Sequence, residues 1–575
     1  MRADLLIKNG KIIDGTGAPG YLADLAIAGN KILATGKLSD IEAARVVDAG
    51  GKIVAPGFID IHTHNDMYMN RDNLARVFEP FVRQGITTCI TGNCGWGIAP
   101  APEKNRQLFI NTVASMGISF DRPFEWSTID EFLSYVDSRG PIINMAHLVP
   151  HGPLRILAMG ERNTFASQDD IERMKSMVKQ GMEAGCFGFS SGLMYYPGIY
   201  SNTDELIQLN SVCGEYAGRY ATHLRAQCTT FPYAVEEAIE IARKGGTGLQ
   251  ISHFHAKPFF GDKAALFYYL VGLIEFANKI IPMPGVPSAA LKRGLEIVDK
   301  ATSEGLDFGM DLVPYIMTNT TITAVFPPWS NVGGTGALLK RLADQRTWEE
   351  IKKDMRTVTP KWPPLGERAW SDNYSRAMGW HVIRLLSVQT PGNRRLQGKS
   401  IVEIARERRT DPWEAARQIT IEEDGMVTIE AGFPSRLWIE KFNSYLFAHP
   451  QMSVMTDVVF PSHGKPPQAA YGTFPGFLGH YVRELKLLSL PEAIRKITSL
   501  PASRYGIKER GQIRKGNYAD IVIFDERTIQ DNTSPEKPDL PPTGIEAVMI
   551  NGKVVLEGET YDSGANAGRV LRKKS

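Results

Sequence analysis

The sequence predicts an α/β fold: a (β/α)8 TIM barrel, a small β-sandwich built from both chain termini, and an inserted subdomain between barrel strands 7 and 8. Three observations predict it. The middle of the chain alternates strand and helix patterns, which marks a parallel sheet. Both ends instead carry short β-rich runs broken by Asn-Gly, Gly-Asn and Gly-Gly turns. Finally, side chains suited to metal binding stand at or near the carboxyl ends of several strand candidates, and those ends converge on one rim in such a barrel.

The amino-terminal runs are DLLIKNGKIIDG, DLAIAGNKILATG and RVVDAGGKIVAPG, and ADIVIFD with AVMINGKVVLEG repeats the pattern near the other end. Between them, strand candidates cover 58–64, 86–91, 142–148, 186–190, 220–224, 248–253, 306–314 and 453–457. Eight is the number that closes a barrel. Helical patterns fill most intervals, among them 169–184, 203–218, 233–244 and 289–304. The stretch from about 316 to 450 is too long for a connection and carries PPW, GGTG and KWPPLG punctuation, so it reads as a subdomain over the rim. The predicted boundaries are 1–57 and 508–575 for the sandwich and 58–507 for the barrel with its insertion.

A chain of 575 residues, 43% of them hydrophobic, can bury a large core, and a formal net charge of +2 asks for neither nucleic acid nor an acidic membrane surface as partner. No run approaches the roughly 18 apolar residues of a membrane span. Met1-Arg2-Ala3-Asp4 leads into a strand pattern instead of a signal-peptide core, so the expected compartment is the cytoplasm. The five cysteines are odd in number and scattered, which argues against a disulfide framework and leaves thiols for metal or core. Oligomeric state is not legible.

In Asp60-Ile61-His62-Thr63-His64 the two histidines are two apart on a predicted strand, so both imidazoles point the same way and can share a cation. Cys94 lies in the Gly-flanked turn Thr91-Gly92-Asn93-Cys94-Gly95, where a thiolate would bind zinc and could bridge two ions. His223 and His253 each close an apolar strand. Singly, such histidines are more often structural; joined to the pair and the cysteine on one rim, they read as ligands. His255 stands two beyond His253, as a supporting or substrate group or an ordinary loop residue. Asp457 ends its strand run, where a carboxylate can touch the metal and accept a proton from water.

The chain also resembles the amidohydrolase superfamily and, within it, the N-acyl-D-amino-acid deacylase (D-aminoacylase) family. The likeness runs along nearly the whole chain, through APGFIDIHTHND, GITTCITGNCG, HGPLR, GCFGFSSGLMYYPG, YATHLRA, QISH, VPYIMT, AAYGTFPGFLG, RKITSLPASRYGI and RGQIRKGNYADIVIFD. The resemblance implies zinc held tightly by Cys94, His223 and His253, a second and weaker position near His62, His64 and Cys94, and Asp457 as catalytic carboxylate. It places Tyr195 and Tyr315 at the substrate pocket, Tyr315 toward the substrate carboxylate, with Arg225 as a further pocket candidate.

Two departures bear on the substrate. Where the family commonly has HPR, whose arginine grips the free carboxylate, this chain has Pro467-Gln468-Ala469; where it tends to have lysine two after the SH histidine, this chain has His255. Lys257, Lys465 and His463 are nearby groups that could replace the missing guanidinium. The implied activity is metal-dependent hydrolysis of a small amide, most directly an N-acyl D-amino acid; the alternative is a cyclic or carboxylate-free amide. A non-catalytic scaffold would have no physical reason to retain six ligand positions.

Overall fold

The computed structural model describes residues 2–114, 118, 120–280, 288–315, 317–432, 435–461 and 464–574. Eight parallel strands follow one another around a ring: β1 (Phe58–Asp60), β2 (Ile86–Thr91), β3 (Asn144–Pro150), β4 (Gly188–Gly192), β5 (Arg219–His223), β6 (Gly248–Ile251), β7 (Phe308–Leu312) and β8 (Met452–Val454). Each pairs with its neighbour in chain order. The seam between β1 and β8 is bridged by the Asp457 N–H, which donates to the His62 carbonyl at 3.1 Å, so the barrel is nearly closed. Strands such as β3 are buried along their whole length, as both faces of a parallel sheet are covered.

Helices occupy the intervals where the sequence has caps. Gln168–Glu183 opens on a capping box between Ser167 and Asp170, and Phe231–Gly245 ends on left-handed Gly246. Thr203–Glu215 and Ala289–Ser303 begin on Asn202 and Ser288, whose side chains accept a backbone N–H three residues on.

Several strands stop short of their predicted ends, and the reason is specific. β1 ends at Asp60 instead of 64, β6 at Ile251 instead of 253, and β8 at Val454 instead of 457. Beyond those points aspartates supply acceptors that a sheet neighbour would otherwise provide. Asp60 Oδ1 accepts the N–H of His62 at 3.3 Å and of Thr456 at 3.1 Å, and Asp311 Oδ1 accepts the His253 N–H at 2.7 Å. His62 and His64 therefore converge from a turn at the rim, not from the two-residue repeat of a strand.

The termini form a nine-stranded mixed sheet. Arg2–Ile12 pairs on one side with Tyr21–Ala28 and on the other first with Glu42–Asp48 and then with Ile53–Pro56. Ile53–Pro56 pairs antiparallel with Ile521–Phe524, so the two ends of the chain share one ladder and one apolar core containing Ile7, Leu25, Ile521 and Met549. Between β7 and β8, the strands Met317–Thr321, Ile383–Ser387 and Thr428–Gly432 make a separate antiparallel sheet, with a core of its own around Trp348, Ile351 and Ile419. Met194 and Cys228, from the barrel rim, join that second core.

Candidate metal centre

Six side chains from five strand ends meet at the rim. Cys94 Sγ lies 3.3 Å from His62 Nε2, 3.8 Å from His223 Nδ1 and 3.5 Å from His253 Nε2. Asp457 Oδ1 lies 3.3 Å from His62 Nε2 and 3.4 Å from His64 Nε2. The donors form two sets with one atom in common: His62, His64, Cys94 and Asp457, and Cys94, His223 and His253. Asp457 is 18% exposed, against 0% for His62 and 3% for His64, so it is the acidic donor that a ligand in the cavity can reach.

Three of the six carry left-handed backbone: Cys94 (φ 53°), His253 (φ 37°) and Asp457 (φ 49°). Such conformations are costly for a side-chain-bearing residue and persist where the surroundings over-determine them. His253 and Asp457 are held through their N–H groups by Asp311 and by the His62 carbonyl. The Cys94 turn is clamped on both sides: Gly95 N–H donates to Ser190 Oγ at 3.1 Å, and Gly152 N–H donates to the Gly95 carbonyl at 2.9 Å.

The electrostatics demand a positive charge. Burial raises a thiol, yet the neighbouring His62, with His223 and His253, holds Cys94 well below the ordinary thiol range. Burial pushes the other four thiols, Cys89, Cys186, Cys213 and Cys228, the opposite way. Against its burial, Asp457 is held well below the usual carboxylate range by His62 and His64. Burial lowers an imidazole, but hydrogen bonding to Asp457 and Cys94 lifts His64 to about 9. Two buried anions so close to shared rings call for protons or a cation, and a metal ion competes with those protons. On the far side His223 is pushed down to about 4 by burial and by His253, as a neutral ligand requires.

The other predicted residues divide. Tyr195 lines the cavity with its ring 4.8 Å from that of His223, and His255 lines it 5.9 Å from the His253 ring, its basicity pushed well down by burial. Lys257 also faces the cavity. Arg225 does not: its Nε lies 2.9 and 3.0 Å from the two carboxylate oxygens of Glu237, in a buried ion pair behind the rim. Tyr315 donates its hydroxyl to Asp531 at 2.7 Å and lines a narrow side cavity with Asp457 and Ala469. Lys465 donates to the Glu536 carbonyl at 2.8 Å, and His463 lies outside the described residues.

Sequence reasoning passed over Asp311, Gln227, Asp372 and Tyr374. Asp311 sits next to the end of β7 and was findable by the logic that singled out Asp457. Its Oδ1 lies 3.5 Å from His62 Nδ1 as well as accepting from His253, and its Oδ2 accepts from Gln250 at 2.7 Å. Gln227 Nε2 lies 2.7 Å from His253 Nδ1. Asp372, in irregular chain, and Tyr374, at the start of the one-turn helix Tyr374–Ala377, reach the cavity from a part of the insertion too short to carry a periodic signal.

The chain matches the Amidohydrolase family over residues 45–255 and 372–556. It is 30% identical over 573 residues to an N-acyl-D-glutamate deacylase of Alcaligenes xylosoxydans xylosoxydans, covering 100% of this chain and 97% of that protein. A D-aminoacylase of the same organism is 28% identical over 568 residues, 99% of this chain and 97% of its own. The crystal structure of N-acyl-D-glutamate deacylase from Bordetella bronchiseptica, complexed with zinc and a phosphonate mimic of the tetrahedral intermediate, superposes with a TM-score of 0.77 at 28% identity and 100% coverage of both chains. Rim geometry, buried charge and full-length likeness agree: the chain belongs to the amidohydrolase family and is a metal-dependent amide-bond hydrolase.

Proposed function

We propose that the cavity deacylates N-acyl D-amino acids, with zinc held tightly between Cys94, His223 and His253 and a second, weaker position between His62, His64, Cys94 and Asp457. Zinc suits these donors. Tetrahedral bonds of about 2.3 Å to sulfur and 2.0–2.1 Å to nitrogen or oxygen give S···N edges of about 3.5 Å and N···O edges of about 3.3 Å, the size of the separations at the rim. When bound, the metal supplies Lewis-acid activation of water and of the scissile carbonyl near neutral pH. Asp457 takes the proton of the attacking water and passes it to the departing nitrogen, since an amine leaves poorly unprotonated. Held well below the usual carboxylate range, Asp457 is ionised and so has an open site for that proton. Tyr195, beside His223 and with its ring 6.4 Å from that of Trp96, walls one side of the reacting centre.

The single observation that carries this reading is the sulfur of Cys94, within 3.8 Å of three imidazoles from three other strand ends. Asp457→Asn is expected to keep the zinc content and lower turnover of an N-acetyl-D-amino acid at least about 100-fold. Near-normal turnover would remove the acid/base role from Asp457. Ala469 favours a second reading, a cyclic or carboxylate-free amide, and assays on lactams and imides beside N-acetyl-D-amino acids separate the two. We take residues 58–507 as the catalytic domain, 316–450 as its cover, 1–57 with 508–575 as a supporting domain, and the cytoplasm as the compartment, with five unpaired cysteines in support.

A further inference from the structure

The helix Ala264–Ile280 departs from the usual surface helix, which turns a polar face to water. Its sequence, AALFYYLVGLIEFANKI, carries charge only at Glu275 and Lys279. On one side Ala264 and Val271 are buried, and the ring of Phe267 stacks on that of Phe260 with centroids 3.8 Å apart. The opposite side is no more polar. Leu266, Tyr269, Leu270, Leu273 and Phe276 recur there at helical spacing and are between 43% and 67% exposed. A stripe of this kind marks a surface that meets another apolar body. The helix falls in the interval between the two stretches matched to the Amidohydrolase family.

On the buried side of the helix lies an apolar cavity of about 220 Å³. Phe267 of the helix walls it together with Phe260, Leu312, Met378, Ile439 and Phe442, and no aspartate or glutamate is among its described lining residues. It adjoins the metal centre. His255, Lys257 and Ala431 line both this cavity and the one that opens on Cys94 and Asp457, and Val313 and Tyr315 line both it and the side cavity beside Asp457. An apolar cavity of about 150 Å³ takes the six carbons of benzene, so this one has room for about eight or nine.

A second copy of the chain would cover the exposed stripe but leave the cavity unexplained, whereas a lipid accounts for both. No helix among the described residues is long and apolar enough to cross a membrane, so this one would lie in the surface. A formal charge of +2 gives little pull on acidic headgroups, which leaves apolar burial as the attraction. We propose that Ala264–Ile280 seats the protein on a lipid bilayer, and that the adjoining cavity takes the hydrocarbon chain of an amide drawn from that bilayer. This rests on the amide-hydrolase reading above and adds a substrate class, amides with a long unbranched chain on one side of the scissile bond.

The test uses the metal-loaded full chain, as wild type and as the double variant Leu273→Glu with Phe276→Glu, both exposed positions. Phosphatidylcholine vesicles are sedimented with each protein. Hydrolysis is measured on N-acyl-D-alanines from acetyl to octanoyl, and on N-acetyl D-amino acids whose linear side chains run from one to eight carbons. Wild type is expected to pellet with the vesicles, and the double variant to partition onto them at least tenfold less. In at least one series kcat/KM is expected to climb about fourfold with each methylene. Wild type left in the supernatant overturns the proposal, as does a flat kcat/KM across both series. Equal pelleting of the two proteins puts the contact elsewhere and overturns it. A dimer in sedimentation equilibrium that the double variant dissolves, without vesicle binding, gives the stripe to a second copy and also overturns it. The wild-type measurements need no variant, so a misfolded double variant leaves the test standing. If wild type cleaves no compound of either series, the N-acyl amino acid reading fails, and vesicle binding with calorimetry still decides this one. Binding of a long-chain compound more tightly than N-acetyl-D-alanine supports it, and equal binding overturns it.

Discussion

At the residue scale the centre depends on backbone as much as on ligands. A Cβ at position 192 would collide with the Cys94 carbonyl, and one at position 152 would sit 2.7 Å from the Gly95 carbonyl, so glycines on β4 and after β3 leave room for the turn that carries the sulfur. Gly192→Ala is therefore expected to displace the turn, lowering metal content and costing about 1–3 kcal/mol of stability; metal analysis and chemical denaturation check this. The raised His64 makes a second prediction. A histidine lifted from 6.5 to about 9 on folding stabilises the metal-free protein fully below pH 6.5, and this is lost as pH rises through about 9. Chelator-treated protein should melt lower at pH 9.5 than at pH 6.5, and metal affinity should rise over the same interval as the proton is displaced. The side chains that cluster at the rim were legible in the sequence because histidine is scarce, 11 in 575 residues, and several fell at or just past strand ends. Arg225 misled because nearness to His223 says nothing about direction once the strand has ended: two residues past the end of β5 its side chain leaves the rim and pairs with Glu237.

At the element scale the barrel strands were readable and their tips were not. Apolar runs fix where a strand lies, but Asp60 and Asp311 decide where it ends by capturing backbone N–H groups from a neighbouring element, and sequence spacing does not encode that capture. Asp311 ties β7 to the ligand-bearing turn after β6 and faces the ring of His62 after β1. Asp311→Asn keeps an acceptor for the His253 N–H but loses the charge that favours a proton on His62 Nδ1. Metal affinity is expected to fall about 10–100-fold, the usual effect of removing a group that orients a ligand ring, as read by competition with a chelator. The insertion was recognised by length and punctuation, whereas Asp372 and Tyr374 within it could not be singled out, because irregular chain and a single helical turn have no period from which to infer a facing direction.

At the scale of the whole molecule, the terminal sheet is joined to the barrel by buried polar contacts. Asp520 pairs with Arg510 and accepts the Asn551 N–H at 2.8 Å, and Asn551 Nδ2 donates to Asn144 Oδ1 on β3 at 2.8 Å. Removing one member of a buried ion pair strands the other, so Asp520→Ala is expected to cost about 3–5 kcal/mol. Denaturation should report this loss although residue 520 belongs to none of the rim's donor sets. The shared ladder between Ile53–Pro56 and Ile521–Phe524 was foreshadowed by the matching turn grammar of the two ends.

The seam closed by Asp457 and His62 has a consequence for biosynthesis. The donors span residues 62 to 457, and the last arrives with the final barrel strand, so a nascent chain still missing its eighth strand can offer Cys94, His223 and His253 but not the Asp457 carboxylate. On the proposed roles of these residues, metal acquired on the ribosome would be held in an inert precursor, and hydrolytic competence would switch on only when the ring shuts.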